Sequence, residues 1–113
     1  MKAINKTKQK VLADDLAVAD TALRRLVGLL GKNHLSGGKG LLITPCKGVH
    51  TIGMRFPIDV LFISKSNEIV AIARNLQPNR MTRLYRYAVS ALELPADMLD
   101  KTGTNIGDEI EFA

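Results

Sequence analysis

One cysteine, two histidines and no tryptophan in 113 residues leave little material for several kinds of chemistry. Cys46 has no second cysteine to pair with, so no internal disulfide can form; this suits a reducing compartment, and a cytoplasmic location is expected. Structural zinc usually asks for four ligands. Cys46 and His50 have no second Cys-x-x-Cys or His pair to join, and His34 lies in a Gly-rich turn, so neither a metal nor another cofactor is expected. Aromatic residues make up only 4% of the chain, a poor supply for stacking bases. No apolar run approaches the roughly 18 residues of a membrane helix. The opening segment, MKAINKTKQK, is basic and polar with no apolar stretch behind it, so neither a membrane span nor a secretion signal is read.

Acid is missing from two long stretches. From Thr21 to Ile58 there is none, while Arg24, Arg25, Lys32, Lys39, Lys47 and Arg55 fall there; from Ile69 to Leu92 there is again none, with Arg74, Arg80, Arg83 and Arg86. The acids gather at Asp14, Asp15 and Asp20 and from Asp97 to Glu111. With a net charge of +5, this asymmetry gives one surface a positive potential that attracts anions, or serves solubility alone.

What is present is a folding composition. Hydrophobic residues reach 46% against 24% charged, enough apolar surface to offset the entropy of ordering one domain of this length. The lysine-rich residues 1–10 read as a flexible basic N-terminus, followed by a single domain over 11–113. Val11 to Ala19 reads as a strand or hairpin arm. Asp20 or Thr21 then caps a helix whose Leu23, Leu26, Val27 and Leu30 share one buried face, with Arg24 and Arg25 on the solvent side and Gly31 at the exit. Strands are expected over Leu41–Cys46, Ile58–Ile63, Glu68–Arg74, Ala88–Leu94 and Asp108–Phe112, the second and third forming a hairpin; Pro95 opens a short helix. The fold class is α+β: a curved or barrel-like, mainly antiparallel β-sheet with two short helices.

Two carboxylates stand in apolar company. Alternation puts Asp59 on one strand face with Leu61 and Ile63, and Glu93 on another with Val89 and Ala91. Each needs donors if buried, with Arg55, Arg80, His50, Thr51 or backbone amides as the candidates. The cluster is either a structural network or a pocket that orients a ligand. Cys46, His50 and Asp59 have the residue types of a nucleophile, its base and an orienting acid. However, Cys46 ends a buried strand with no helix start to lower its pKa, which reads as packing. Gly37-Gly38-Lys39-Gly40 lacks the ending of a phosphate-binding loop and reads as a turn. The run from Arg80 to Tyr87 interleaves positive charge with two rings, giving Arg80, Arg83, Tyr85 and Arg86 as candidate contacts for a polyanion; as a plain loop, it would send Tyr87 into the core.

The order Gly28-Leu29-Leu30, Gly40-Leu41-Leu42, Cys46, His50-Thr51, Met54-Arg55-Phe56-Pro57-Ile58-Asp59-Val60, Leu92-Glu93-Leu94-Pro95 and Gly107-Asp108 resembles domain-of-unknown-function family 192 across nearly the whole chain. The resemblance implies a small α+β fold and no established activity, and it places Asp59 and Glu93 inside signature segments. Many members resemble exported proteins, and some are similar to proteins encoded near pilus and secretion machinery, which implies an accessory role in envelope assembly. The chain departs from the family pattern at Asp97, where glycine is usual, and at Asn79, where an aromatic is common.

The reading that follows is a non-enzymatic accessory module. It would bind a small polar or anionic ligand, or a protein partner, around Cys46, His50, Thr51, Met54, Arg55, Asp59, Arg80 and Glu93. The alternatives are a polyanion or nucleic-acid binder working through the basic stretches, and a cysteine-dependent enzyme.

Overall fold

The computed structural model describes residues 1–113, with the side chain of Leu26 outside the description. Eight strands and two short helices follow in the order β1 (Ala3–Asn5), β2 (Lys10–Ala13), β3 (Asp15–Ala19), α1 (Ala22–Val27), β4 (Lys39–Ile43), β5 (Ile58–Ile63), β6 (Ile69–Leu76), β7 (Ser90–Pro95), α2 (Met98–Thr102) and β8 (Ile110–Phe112). They form two open sheets, β2-β1-β8 and β3-β4-β7-β5-β6. The fold is therefore α+β and mostly sheet, without the barrel-like closure expected from the sequence. All pairings are antiparallel except β3 with β4, whose parallel run is made possible by the α1 crossover. No helix among the described residues is long and apolar enough to cross a membrane.

The larger sheet is buried on both faces at its centre. All six residues of β5 are buried, because β7 and β6 flank the strand and separate apolar layers cover its two sides. Leu61 and Ile63 join Leu92, Leu94 and Leu99 under Ala3, Leu12 and Ile110, so the small sheet and α2 close that face. Ile58, Val60 and Phe62 join Ile43, Met54 and Ala91 on the other, which is roofed by loops. Burial of each such large side chain contributes about 1.5–3 kcal/mol. The β5–β6 hairpin turns through Asn67 at φ 62°, a left-handed conformation that asparagine tolerates.

Several elements differ from expectation. Residues 3–5, expected within a flexible terminus, form β1 at the centre of the small sheet, and buried Asn5 donates to Thr104 Oγ1 at 3.0 Å and to Asp108 Oδ2 at 2.9 Å. Thr21 does cap α1, accepting from the Arg24 amide at 3.1 Å. The helix stops at Gly28, with φ 49°, so the expected buried stripe is not formed: Leu23, Val27 and Leu30 are exposed while Leu29 enters the core. Pro95 ends β7 instead of opening a helix. Tyr85 is the ring that packs inward, its centroid 4.6 Å from that of Phe62, whereas Tyr87 is 72% exposed.

Candidate functional site

The loop-roofed face of the large sheet is incompletely covered. Between α1 with its exit, the end of β4 and the 44–50 loop lies a pocket of about 400 Å3 whose lining includes Arg25, Leu29, Ile43, Cys46, His50, Met54, Leu84 and Glu93. Its size falls in the range of small-molecule sites, about 300–1,000 Å3. The 44–50 loop is held against the 77–88 loop by the bond from the Val49 amide to Thr82 Oγ1 at 3.0 Å and by the return bond from the Thr82 amide to Val49 O. Gly48 permits this approach, since a Cβ there would lie 2.8 Å from Arg83 O.

Glu93 belongs to this face because of register. It sits opposite Val60 on β5 and Leu41 on β4, so its side chain points with theirs toward the loops. It is 3% exposed, and burial pushes its carboxyl up to about 7 from the ordinary 4.5, with no hydrogen bond or counter-charge among the described residues offsetting that desolvation. Cys46 lies close by. Its thiol donates to Gly48 O at 3.1 Å, and burial, with a further contribution from the Glu93 charge, raises its pKa against the lowering effects of Gly48 and Arg25. A thiol held protonated in this way is not poised as a nucleophile.

Of the residues singled out by sequence, the structure brings Cys46, His50, Met54 and Glu93 together at the pocket. Asp59 is on the other face of the sheet, opposite Leu94. Its two carboxyl oxygens accept from the Asn75 amide at 2.8 Å and the Leu99 amide at 2.9 Å, so of the candidate donors the backbone amides serve it, and Arg55, Arg80, His50 and Thr51 do not. Cys46, His50 and Asp59 therefore form no triad. Buried Thr51 receives the Arg80 amide and donates to Gln77 O at 2.6 Å, holding the 77–80 turn. Arg55 is exposed and donates to Asn33 Oδ1 at 2.7 Å, and Arg80 is also exposed.

Arg25, expected on the solvent side, is half-buried and lines the pocket. Sequence reasoning missed it because the helix was expected to run through to Gly31. Lys47, also near the pocket, spends its ammonium on Arg86 O and Ala88 O, each at 2.9 Å. Arg83 and Arg86 lie over the Tyr85 and Tyr87 rings, both at 5.7 Å; Arg83, Arg86 and Tyr87 are exposed, whereas Tyr85 packs inward. Among the described residues, no group of three or more His, Cys, Asp and Glu has a metal-holding arrangement.

The chain is similar to other proteins in sequence and, separately, to solved structures in fold. A UPF0127 protein of Thermococcus sibiricus is 32% identical over 96% of this chain and 73% of its own length. Another from Pyrococcus furiosus is 26% identical over 96% of each. A crystal structure of a protein of unknown function from Novosphingobium aromaticivorans superposes with a TM-score of 0.87 at 18% identity, covering 99% of this chain and 84% of that one. The match to the family profile described as Uncharacterized ACR spans residues 3–112, and the chain belongs to domain-of-unknown-function family 192.

Proposed function

We propose that this protein is a non-enzymatic binding module whose ligand enters the pocket over Glu93. The observation that carries the reading is a glutamate residue only 3% exposed that lines a pocket of about 400 Å3, with burial as the sole source of its carboxyl's raised pKa. Burying an ionisable group without a partner is costly. A core needing only to be stable would hold an apolar side chain or an amide at this position, whereas a ligand carrying a hydrogen-bond donor would satisfy Glu93 on arrival. The floor is acidic, which turns the reading away from a simple anion.

Amide NMR titration of the full chain with a broad fragment collection tests this. The expected result is clustered shifts at residues 25–30, 46–50 and 93 that survive added salt and weaken in Glu93→Gln. Silence at those amides across the whole collection would remove the proposal.

A second reading is supported by the exposed Arg83 and Arg86 lying over the Tyr85 and Tyr87 rings. Shifts confined to residues 80–87 on adding single-stranded RNA, and lost with salt, would favour polyanion binding.

A further inference from the structure

The charges around the pocket narrow its ligand. Resting on the pocket reading above, we propose that the ligand is a small zwitterion with an apolar body, of the class of the apolar amino acids. Its ammonium would sit on the Glu93 carboxylate, its carboxylate on the Arg25 guanidinium and its side chain against the pocket wall.

Two groups of opposite charge line this one pocket. The Glu93 carboxyl is nine-tenths buried without a partner. Arg25 takes part in none of the ion pairs found among the described residues, which join Lys6 to Glu109, Lys8 to Asp108, Arg24 to Asp20, Lys39 to Asp15 and Arg74 to Asp100. Glu93, Arg25 and Cys46 line the same pocket, and no ion pair joins Glu93 to Arg25. The ammonium of Lys47 is occupied by two carbonyls, and His50 is exposed at the edge.

A simple amine would satisfy Glu93 but meet the Arg25 charge. A simple carboxylate would do the reverse. A zwitterion gives the buried carboxyl and the half-buried guanidinium a charge-assisted contact each. Leu29, Ile43 and Met54 are buried apolar residues of the lining and would take an aliphatic body of a few carbons.

The test is calorimetric and amide NMR titration of the full chain with L-leucine, isoamylamine and isocaproate, which share an aliphatic body and differ in their charged heads. Leucine is expected to bind about tenfold tighter than either single-headed analogue, the worth of one modest charge-assisted contact. Glu93→Gln is expected to erase leucine's advantage over isocaproate, and Arg25→Gln its advantage over isoamylamine, with melting curves of both variants recorded to establish that they remain folded. Leucine affinity is also expected to rise between about pH 6 and pH 8 as Glu93 ionises, the other charged or titratable groups at the pocket being Arg25, Cys46, Lys47 and His50. Leucine binding no tighter than an analogue, or an advantage that survives both substitutions, would overturn the zwitterion. So would indifference to leucine in a protein whose pocket amides respond to other fragments, an outcome that leaves the pocket reading standing.

Discussion

Glu93 sets the energetics at the residue scale. Its carboxyl ionises near 7 in the folded chain and near 4.5 when solvated, so between those values the folded state holds more protons than the unfolded state, and stability falls as pH rises through that window. The carboxyl contributes no penalty below about 4.5 and its full cost above about 7, roughly 3 kcal/mol at 1.36 kcal/mol per pKa unit. Glu93→Gln is expected to melt higher than the wild type at about pH 8, to lose most of that advantage near pH 5, and to flatten the intervening slope. Melting curves at several pH values check this; a parallel slope in the variant would assign the pH dependence to another group.

Asp97 makes a different single-residue case. It stands at φ 73° before α2 and its side chain makes no capping bond. The left-handed conformation costs a residue with a Cβ about 1–2 kcal/mol, against about 0.4–1 kcal/mol for the unfolded-chain freedom that glycine adds. Asp97→Gly is therefore expected to stabilise by about 0.5–1 kcal/mol in a denaturant titration, and an unchanged midpoint would show that aspartate is relaxed there. The sequence pointed at this position through the family pattern, but composition carries no φ angle. Asp59 and Glu93 were legible as carboxyl groups in apolar strands; that they face opposite ways was not, since it depends on which residues of β5 and β7 stand opposite one another.

Elements are held together by the same side chains. Asp59 on β5 bonds the Leu99 amide in the first turn of α2 and the Asn75 amide on β6, so one carboxyl group replaces the local cap that Asp97 does not supply and fastens the helix to the sheet. Asp59→Ala would leave the buried Leu99 amide and the part-buried Asn75 amide without acceptors, a buried group so orphaned costing about 1–3 kcal/mol. A loss of about 2–4 kcal/mol is expected in chemical denaturation, with α2 amides exchanging sooner than the rest of the chain. A loss below 1 kcal/mol would mean that water replaces the carboxyl group. Strand β5 and its hairpin to β6 were readable from β-branched runs around a short polar turn. Helix α1 was only half readable: Thr21 gave its start, but Gly28 breaks the leucine periodicity early. The pocket exists partly because that apolar stripe is not packed away, with Val27 and Leu30 left exposed in its lining.

The whole molecule depends on a long closure. β1 lies between β2 and β8, so residues 3–5 pair with residues 110–112, and the Asn5 amide group reaches Thr104 and Asp108 across most of the chain. Lys8 adds an ion pair to Asp108 at 3.0 Å. A lysine-rich start hides this arrangement from sequence reading, because three-residue strands offer almost no alternation and a long-range pairing has no local signature. Removing residues 1–5 would take away the centre of the small sheet and uncover Leu12 and Ile110 in the core beneath it. It would also leave Asp108 without its Asn5 donor. Such a truncation is expected to lose cooperative melting and amide dispersion throughout, including at the pocket on the opposite face, since the large sheet would lose the layer covering Leu61, Leu92 and Leu94. A truncated chain that kept a sharp transition and native pocket shifts would instead make the five-stranded sheet an autonomous unit, with the small sheet only an added cover.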